Sequence, residues 1–363
     1  MAAKIIPNIF YQDNLPALPH PPERQRPSTN ADSEANAYQN AQLDLFQTFL
    51  CNTAPERERL SNTINFWDSV PRYSISRKEM NKRRDEKGNL PTLNLRFEYH
   101  GQPYLVKIQP ARIDQGEQSV EYYPGANEEL VEDALRKIAT RQNSGFFEKP
   151  TMRSGVAFTL YGLREELAAR GHTRSYQEII QYLAILQRSH IEIRMGEGKG
   201  ESFVAANYLP TVVAVSRKRL EEDPDAKWLA QFHPLVTQCI DQLTYRQFNY
   251  QTMMSLPTQL GRWIHKLLSI KFTFASIVGN PFEIRFTTIK RDSNLLNCER
   301  EKDNRREIDN AMSRLIECKV LREVKKQAVI GANGKILDVV YQLYPAQDFI
   351  REMKASNKRL KET

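Results

Sequence analysis

Between Val156 and Arg194 the chain reads VAFTLYGLREELAARGHTRSYQEIIQYLAILQRSHIEIR. Val156 to Leu160 is a short apolar run that predicts a strand. Tyr161 to Arg170 predicts a short helix with Leu163 and Leu167 inward, and Gly171 is placed to end it. A tight polar turn, His172-Thr173-Arg174, follows. Ser175 and Glu178 then make a capping box: the serine oxygen takes an amide of the first turn and the glutamate reaches back to the serine amide. The helix they start buries Ile179, Leu183 and Leu186. Ile191 to Arg194 alternates as a strand, Gly196 to Gly200 is a flexible loop, and Ser202 to Tyr208 returns. Strand, helix, turn, helix and hairpin, in that order, make a winged helix. In that arrangement the second helix lies in a DNA major groove and the hairpin tip touches backbone or minor groove.

The order recurs downstream. Ser255 to Lys271 predicts an amphipathic helix with Leu260, Trp263, Ile264, Leu267 and Leu268 on one face and Pro257 in its first turn. Phe282 to Thr287 predicts a strand, Thr288 to Leu296 a short helix, and Asp303 to Cys318 a long one burying Ile308, Met312, Leu315 and Ile316. Val320 to Val329 and Ile336 to Tyr344 then form a hairpin around Gly331-Ala332-Asn333-Gly334. Upstream, Leu93 to Tyr99 alternates with period two, His100-Gly101 turns, and Pro103 to Ile108 returns. Asn127 is the expected N-cap of a helix burying Leu130, Val131, Leu135 and Ile138. The fold class expected is α+β: two tandem winged-helix domains preceded by a largely disordered N-terminal arm. The arm takes residues 1–60, the first domain 61–215, a connection 216–245, the second domain 246–354 and a basic tail 355–363.

Composition narrows the function. The 363 residues are 40% hydrophobic, enough for cores, and the net charge of +8 favours a polyanionic partner such as nucleic acid. No run reaches the ~18 apolar residues that span a bilayer. The opening MAAKIIPNIFYQDN is broken by Pro7, Asn8 and Gln12, unlike a signal-peptide core. The cysteines (Cys51, Cys239, Cys298, Cys318) are scattered, as suits a reduced, cytoplasmic compartment. No phosphate-binding G-x-x-x-x-G-K-[ST] occurs, since Gly196 to Gly200 lacks the spacing. The histidines (His20, His100, His172, His190, His233, His265) form neither H-x-H nor H-E-x-x-H, and no Cys-x-x-Cys occurs. The expectation is a non-enzymatic protein with no metal and no cofactor.

The binding residues are more telling. Opposite the apolar stripe of the first recognition helix stand Arg174, Tyr176, Gln177, Gln181 and Arg188, with Ser175 used as cap. Arginine and glutamine pair bidentately with guanine and adenine edges. Opposite the second stripe stand Lys302, Arg305, Arg306, Asn310 and Arg314. Lys290 and Arg291 precede that helix, and Lys199 and Lys335 sit in the two hairpin loops. From Arg285 through Lys335 thirteen Lys or Arg face eight Asp or Glu, an excess suited to neutralising phosphates. The bland alternative is a solvated helix face.

In the polar, Pro-rich arm lies QLDLF: Gln42, Leu43, Asp44, Leu45 and Phe46. Its apolar side chains suit a peptide that anchors in another protein's pocket. Leu43, Phe46 and Leu50 equally suit a short amphipathic helix packed on the first domain.

With QLDLF, Phe158-Thr159-Leu160-Tyr161-Gly162-Leu163 and Leu256-Pro257-Thr258-Gln259-Leu260-Gly261-Arg262-Trp263, the chain resembles plasmid replication initiators of the TrfA type, among the iteron-binding Rep proteins. The likeness runs from Gln42 to the end, in order of parts more than identity. It implies binding to double-stranded DNA at repeated origin sites, opening of an adjacent AT-rich segment, and recruitment of the host replicative helicase and initiator. It further implies that QLDLF binds the host sliding clamp, and that the chain has a homodimeric form. A winged-helix transcriptional regulator or phage replication protein is the alternative. A DNA-nicking enzyme would need the missing histidine pair.

Overall fold

The computed structural model describes residue 46 and residues 52–116, 118–141, 144–195, 202–214, 227–273, 280–332 and 334–362. The fold is mixed α and β. Helix α1 (Ala54–Arg59), strand β1 (Leu60–Ile64) and helix α2 (Arg77–Lys82) lead into two hairpins, β2 (Leu93–Tyr99) with β3 (Gln102–Gln109) and β4 (Ala111–Gln115) with β5 (Gln118–Tyr122). Next come α3 (Ala126–Ala139), β6 (Gly145–Glu148), β7 (Arg153–Phe158), α4 (Leu160–Ala169), α5 (Tyr176–Arg188), and the hairpin β8 (His190–Met195) with β9 (Ser202–Asn207). β10 (Val212–Val213), β11 (Trp228–Gln231), α6 (Pro234–Asp241), β12 (Tyr245–Asn249) and α7 (Tyr250–Ser255) complete the first half. The second half holds α8 (Gln259–Lys271), β13 (Phe282–Arg285), α9 (Phe286–Ser293), α10 (Glu301–Glu317), β14 (Leu321–Ile330), β15 (Ile336–Pro345) and α11 (Gln347–Glu362).

Two apolar cores divide the chain. One gathers residues from Phe46 to Met254, the other from Leu256 to Met353. Residues 228–254, read from sequence as connection and start of the second domain, belong to the first core. Trp228 and Ala230 alternate inward from β11, and β12 pairs antiparallel with β1. The expected tail is the end of α11, whose Phe349, Ile350 and Met353 bury in the second core.

The expected elements stand, with instructive exceptions. Leu93, Leu95 and Phe97 are buried on alternate positions of β2. His100 (φ +50°) and Gly101 (φ +75°) make the turn to β3. Gly125 rather than Asn127 caps α3, because the Glu128 carboxylate accepts the Gly125 amide (2.8 Å). Asn127 instead donates to the Tyr182 hydroxyl (3.1 Å), linking α3 to α5. In α8 the cap is Thr258, so Pro257 lies before the helix. In α10, Ile316 is partly exposed, and Ala311 takes its place beside Ile308, Met312 and Leu315. A straight 3.6-residue period carries that stripe past Ile316.

Helix α3 is buried on every side, so its charged face must find partners inside. Arg136 donates to Asp68 (2.7 and 2.8 Å) and Asp133 (2.6 Å), and Arg72 to Asp68 and Glu132 (3.1 Å each). The Trp67 indole (2.6 Å) and the Tyr73 hydroxyl also donate to Glu132. Burial opposes ionisation of Asp68, yet Arg136, Lys266 and Arg72 together hold its carboxyl well below the usual range. From the second half, Lys266 of α8 donates to Asp133 (2.7 Å) and Glu129 (3.2 Å), and Gln259 to Glu129 (2.9 Å). A buried charge network therefore clasps the halves together. Outer contacts flank it, Arg359 to Glu56 (2.7 Å) and Asn294 to Arg96 O (3.1 Å) among them. Glu98 N donates to Asp292 (3.1 Å), and Asn249 donates to Glu352 (2.7 Å).

Candidate nucleic-acid interface

The two halves share one order, helix, strand, helix, helix, hairpin, with β6 as an added strand before β7 in the first. It is α3, β7, α4, α5, β8–β9 in the first and α8, β13, α9, α10, β14–β15 in the second. Strand pairing differs. β13 joins its own hairpin in the sheet β13-β15-β14, whereas β7 pairs with β6 and β11, and the first hairpin is extended to β2-β3-β8-β9.

In the first half, Thr159 caps α4 by accepting the Gly162 amide (2.9 Å), and Gly171 (φ +84°) turns the chain out of that helix. Ser175 accepts the Glu178 amide (3.2 Å) while Glu178 accepts the Ser175 amide (2.8 Å), the capping box read from sequence. The buried face of α5 is wider than expected. Besides Ile179, Leu183 and Leu186 it includes Tyr182, Ala184 and Ile185; the last two pack on Ala111 and Ile113 of the β4–β5 hairpin. What remains outward in its first turn is Tyr176, Gln177 and the capping Glu178, with Ile180 and Gln181 half-buried. Arg164 of α4 lies over the Tyr176 ring at 4.9 Å. Sequence reasoning missed Arg164, since its place beside Tyr176 depends on how α4 crosses α5.

The arginines of this half are engaged. Arg174 donates to Thr173 O (2.8 Å) and Asn127 (2.9 Å). Arg188, at the far end of α5, donates to Arg112 O (3.0 Å) with Asp114 at 3.7 Å, so it ties the helix to the β4–β5 hairpin. Lys199 lies outside the described residues.

In the second half the cations lie along α10. Lys302, Arg306, Asn310 and Arg314 are exposed and Arg305 half-buried. Arg306 pairs with Asp303 (3.1 Å), Arg314 with Glu317 (2.6 Å), and Lys326 of β14 with Asp309 (2.9 Å). Exposed pairs of this kind are worth about 0–1 kcal/mol, so a phosphate replaces the carboxylate at little cost. Lys290 pairs with Glu301 at the head of α10. Arg291 faces inward to Glu98 (2.6 Å) and Asp292 (2.7 Å), at the contact of α9 with β2. Lys335 is exposed in the hairpin loop. Asn304, also missed, is fully buried; it accepts the Cys298 amide (2.9 Å) and donates to Cys298 O (3.1 Å), fixing the entry to α10. The sequence signal was an amide on the apolar side of the stripe.

Of QLDLF, Gln42, Leu43, Asp44 and Leu45 lie outside the described residues. Phe46 is 1% exposed, edge-on to Tyr245 of β12 with centroids 5.2 Å apart. That is the packing expected of the core alternative. Among the described residues no cluster of three His, Cys, Asp or Glu is arranged for a metal, and no helix is long and apolar enough to cross a membrane.

No protein-family model matches the chain, and no curated protein does. Solved structures do resemble it. One structure of domains 2 and 3 of RctB, 8% identical, covers 77% of this chain and 96% of its own, with a TM-score of 0.49. Another, 10% identical, covers 75% and 97%, with a TM-score of 0.41. The Pi initiator protein in complex with iteron DNA, 10% identical, covers 80% and 99%, with a TM-score of 0.34. At such identities these are likenesses of shape.

Proposed function

We propose that this chain is a DNA replication initiator that binds repeated origin sites as duplex DNA through two tandem winged helices. The observation that carries this reading is the repeated helix–strand–helix–helix–hairpin order with an outward, cation-bearing α10 in the second copy. Lys302, Arg305, Arg306 and Arg314 would neutralise phosphates, releasing counterions. Tyr176, Gln177, Gln181 and Asn310 would lie against base edges, where amides recognise adenine. Several copies bound side by side would strain an adjacent AT-rich segment, which opens where stacking is weakest. The host helicase and initiator act on that opening. This role requires no covalent chemistry, cofactor or metal.

The clamp contact through Gln42 to Phe46 belongs to the same proposal and carries a condition. Phe46 must leave Tyr245 to enter a partner's pocket. The transcriptional regulator remains the second reading, since the same surface serves it. Footprinting the full chain on DNA flanking its own gene, at two salt concentrations, separates them. Regularly spaced protection over direct repeats beside an AT-rich segment is expected. A single palindromic site over a promoter would favour the regulator, and no protection at either salt would end the DNA-binding reading.

A further inference from the structure

The hairpin of the second half ends in an apolar tip. Leu337 is 66% exposed, Ile330 64% and Ile336 48%. The ladder explains how three aliphatic side chains gather there. Val329 opposes Asp338 and Ile330 opposes Ile336, so Leu337 is an extra residue without a partner. Such a bulge breaks the alternation of faces and re-aims the side chains around it. Gly331 completes the arrangement: a Cβ there would stand 3.1 Å from Leu337 Cδ1 and Cγ.

Its surroundings say what it fits. From Val329 to Leu337 the only ionisable side chain is Lys335, and the outward charged side chains of the stem are three cations, Arg322, Lys325 and Lys326, against one carboxylate, Glu323. An apolar end on a cationic stem suits a partner that is anionic outside and apolar within. A membrane of anionic lipids meets that description as a duplex does; what favours the duplex, with its phosphates flanking a base stack, is the tie of this hairpin to α10, the helix of the proposed DNA-binding role. The pair Lys326–Asp309 ties the stem to α10. From Lys326 to Ile330 the strand covers about 13 Å, on the order of the major-groove width of ~12 Å. With α10 in the major groove, the tip crosses one phosphate backbone to the neighbouring minor groove.

We infer that Ile330, Ile336 and Leu337 form a wedge that enters the minor groove and unstacks a base step, kinking the duplex. Inserted aliphatic side chains bend DNA in this way in minor-groove proteins. The inference rests on the DNA-binding reading above. It adds a preference for pyrimidine–purine steps such as TA, which unstack most readily, over stiff A-tracts.

The test uses the full chain, an alternating TA duplex carrying 2-aminopurine with dyes at its ends, and an A-tract duplex of equal length. The variant is I330S/L337S. Both positions are exposed, so its thermal melting should match the wild type. The wild type is expected to brighten the 2-aminopurine, shorten the end-to-end distance and prefer the TA duplex. The variant is expected to lose all three and about tenfold in affinity, the scale of an apolar anchor. Its salt dependence should not move, because no charge is removed. L337F should keep the bend. A variant that bends and brightens like the wild type overturns the wedge, as does a variant altered only in self-association. A wild type that binds neither duplex overturns the DNA-binding reading itself.

Discussion

On α5 the outward face is Tyr176, Gln177 and Glu178 with Gln181 half-buried; on α10 the outward cations are Lys302, Arg306 and Arg314 with Arg305 half-buried. The surroundings differ in the same sense. α5 is packed on a second side by the β4–β5 hairpin, and its terminal Arg188 is spent on that contact. α10 packs by one stripe, and its Arg306 and Arg314 pair with the near-surface carboxylates of Asp303 and Glu317 on the same helix. One element order thus carries two surfaces: a narrow one of a ring, amides and the carboxylate Glu178, and a broad one on which four cations stand among five carboxylates. Base contacts specify and phosphate contacts position. Under the proposed DNA-binding role, the first half would supply most of the specificity and the second most of the grip.

That division needs the halves to be held in one register, and Lys266 is the buried tie. Replacing it in K266M removes the ammonium from Glu129 and leaves Asp133 with Arg136 alone. A cost of about 3–5 kcal/mol is expected in urea denaturation. Neutralising the partners as well, in K266M/E129Q/D133N, should recover much of it. No loss in K266M would mean that the halves do not depend on this clasp.

Each half also hides a neutral imidazole. His233 stacks on Trp67 (4.4 Å) and accepts the Leu235 amide (3.2 Å), while His265 is fully buried with neither ring nitrogen partnered among the described residues. Burial pushes both down to about 3. The unfolded chain binds protons below its ordinary value of about 6.5 and the folded chain does not, so stability falls as pH drops from 6.5 towards 3. Each histidine is expected to cost about 2 kcal/mol at pH 5 relative to neutral pH. H265L should be neutral or stabilising at pH 7 and should remove one share of the acid sensitivity. Melting curves from pH 7 to pH 5 that do not differ from wild type would contradict this.

Local signals carried far. The Ser175–Glu178 box, Gly171 and the period-two run of β2 were all legible because each depends on residues within a few positions. What was missed depends on long-range packing. Asp68, Arg72 and Arg136 look like surface charges until α3 is enclosed on every side. Arg188 and Arg291 look like binding residues until the β4–β5 hairpin and β2 arrive beside them. Residues 228–254 lack the length of a domain and read as connection up to 245 and as the start of the second domain from 246, but β12 completes a pair begun by β1 nearly two hundred residues earlier. Phe46 carries both readings in its sequence, and only Tyr245 shows which packing it takes in this structure.

The division between specificity and grip is tested most directly by titrating duplex DNA over a range of salt with R305A/R306A and, in parallel, Q177A/Q181A. For the arginine pair the slope of log affinity against log salt should fall by about 2. Binding should weaken roughly fiftyfold at 0.1 M salt, alike on every sequence. For the glutamine pair the slope should stay at the wild-type value. The advantage of the footprinted site over random DNA should shrink by about 1 kcal/mol per side chain. Equal changes in slope and in site preference for the two variants would contradict the assignment of reading to α5 and gripping to α10.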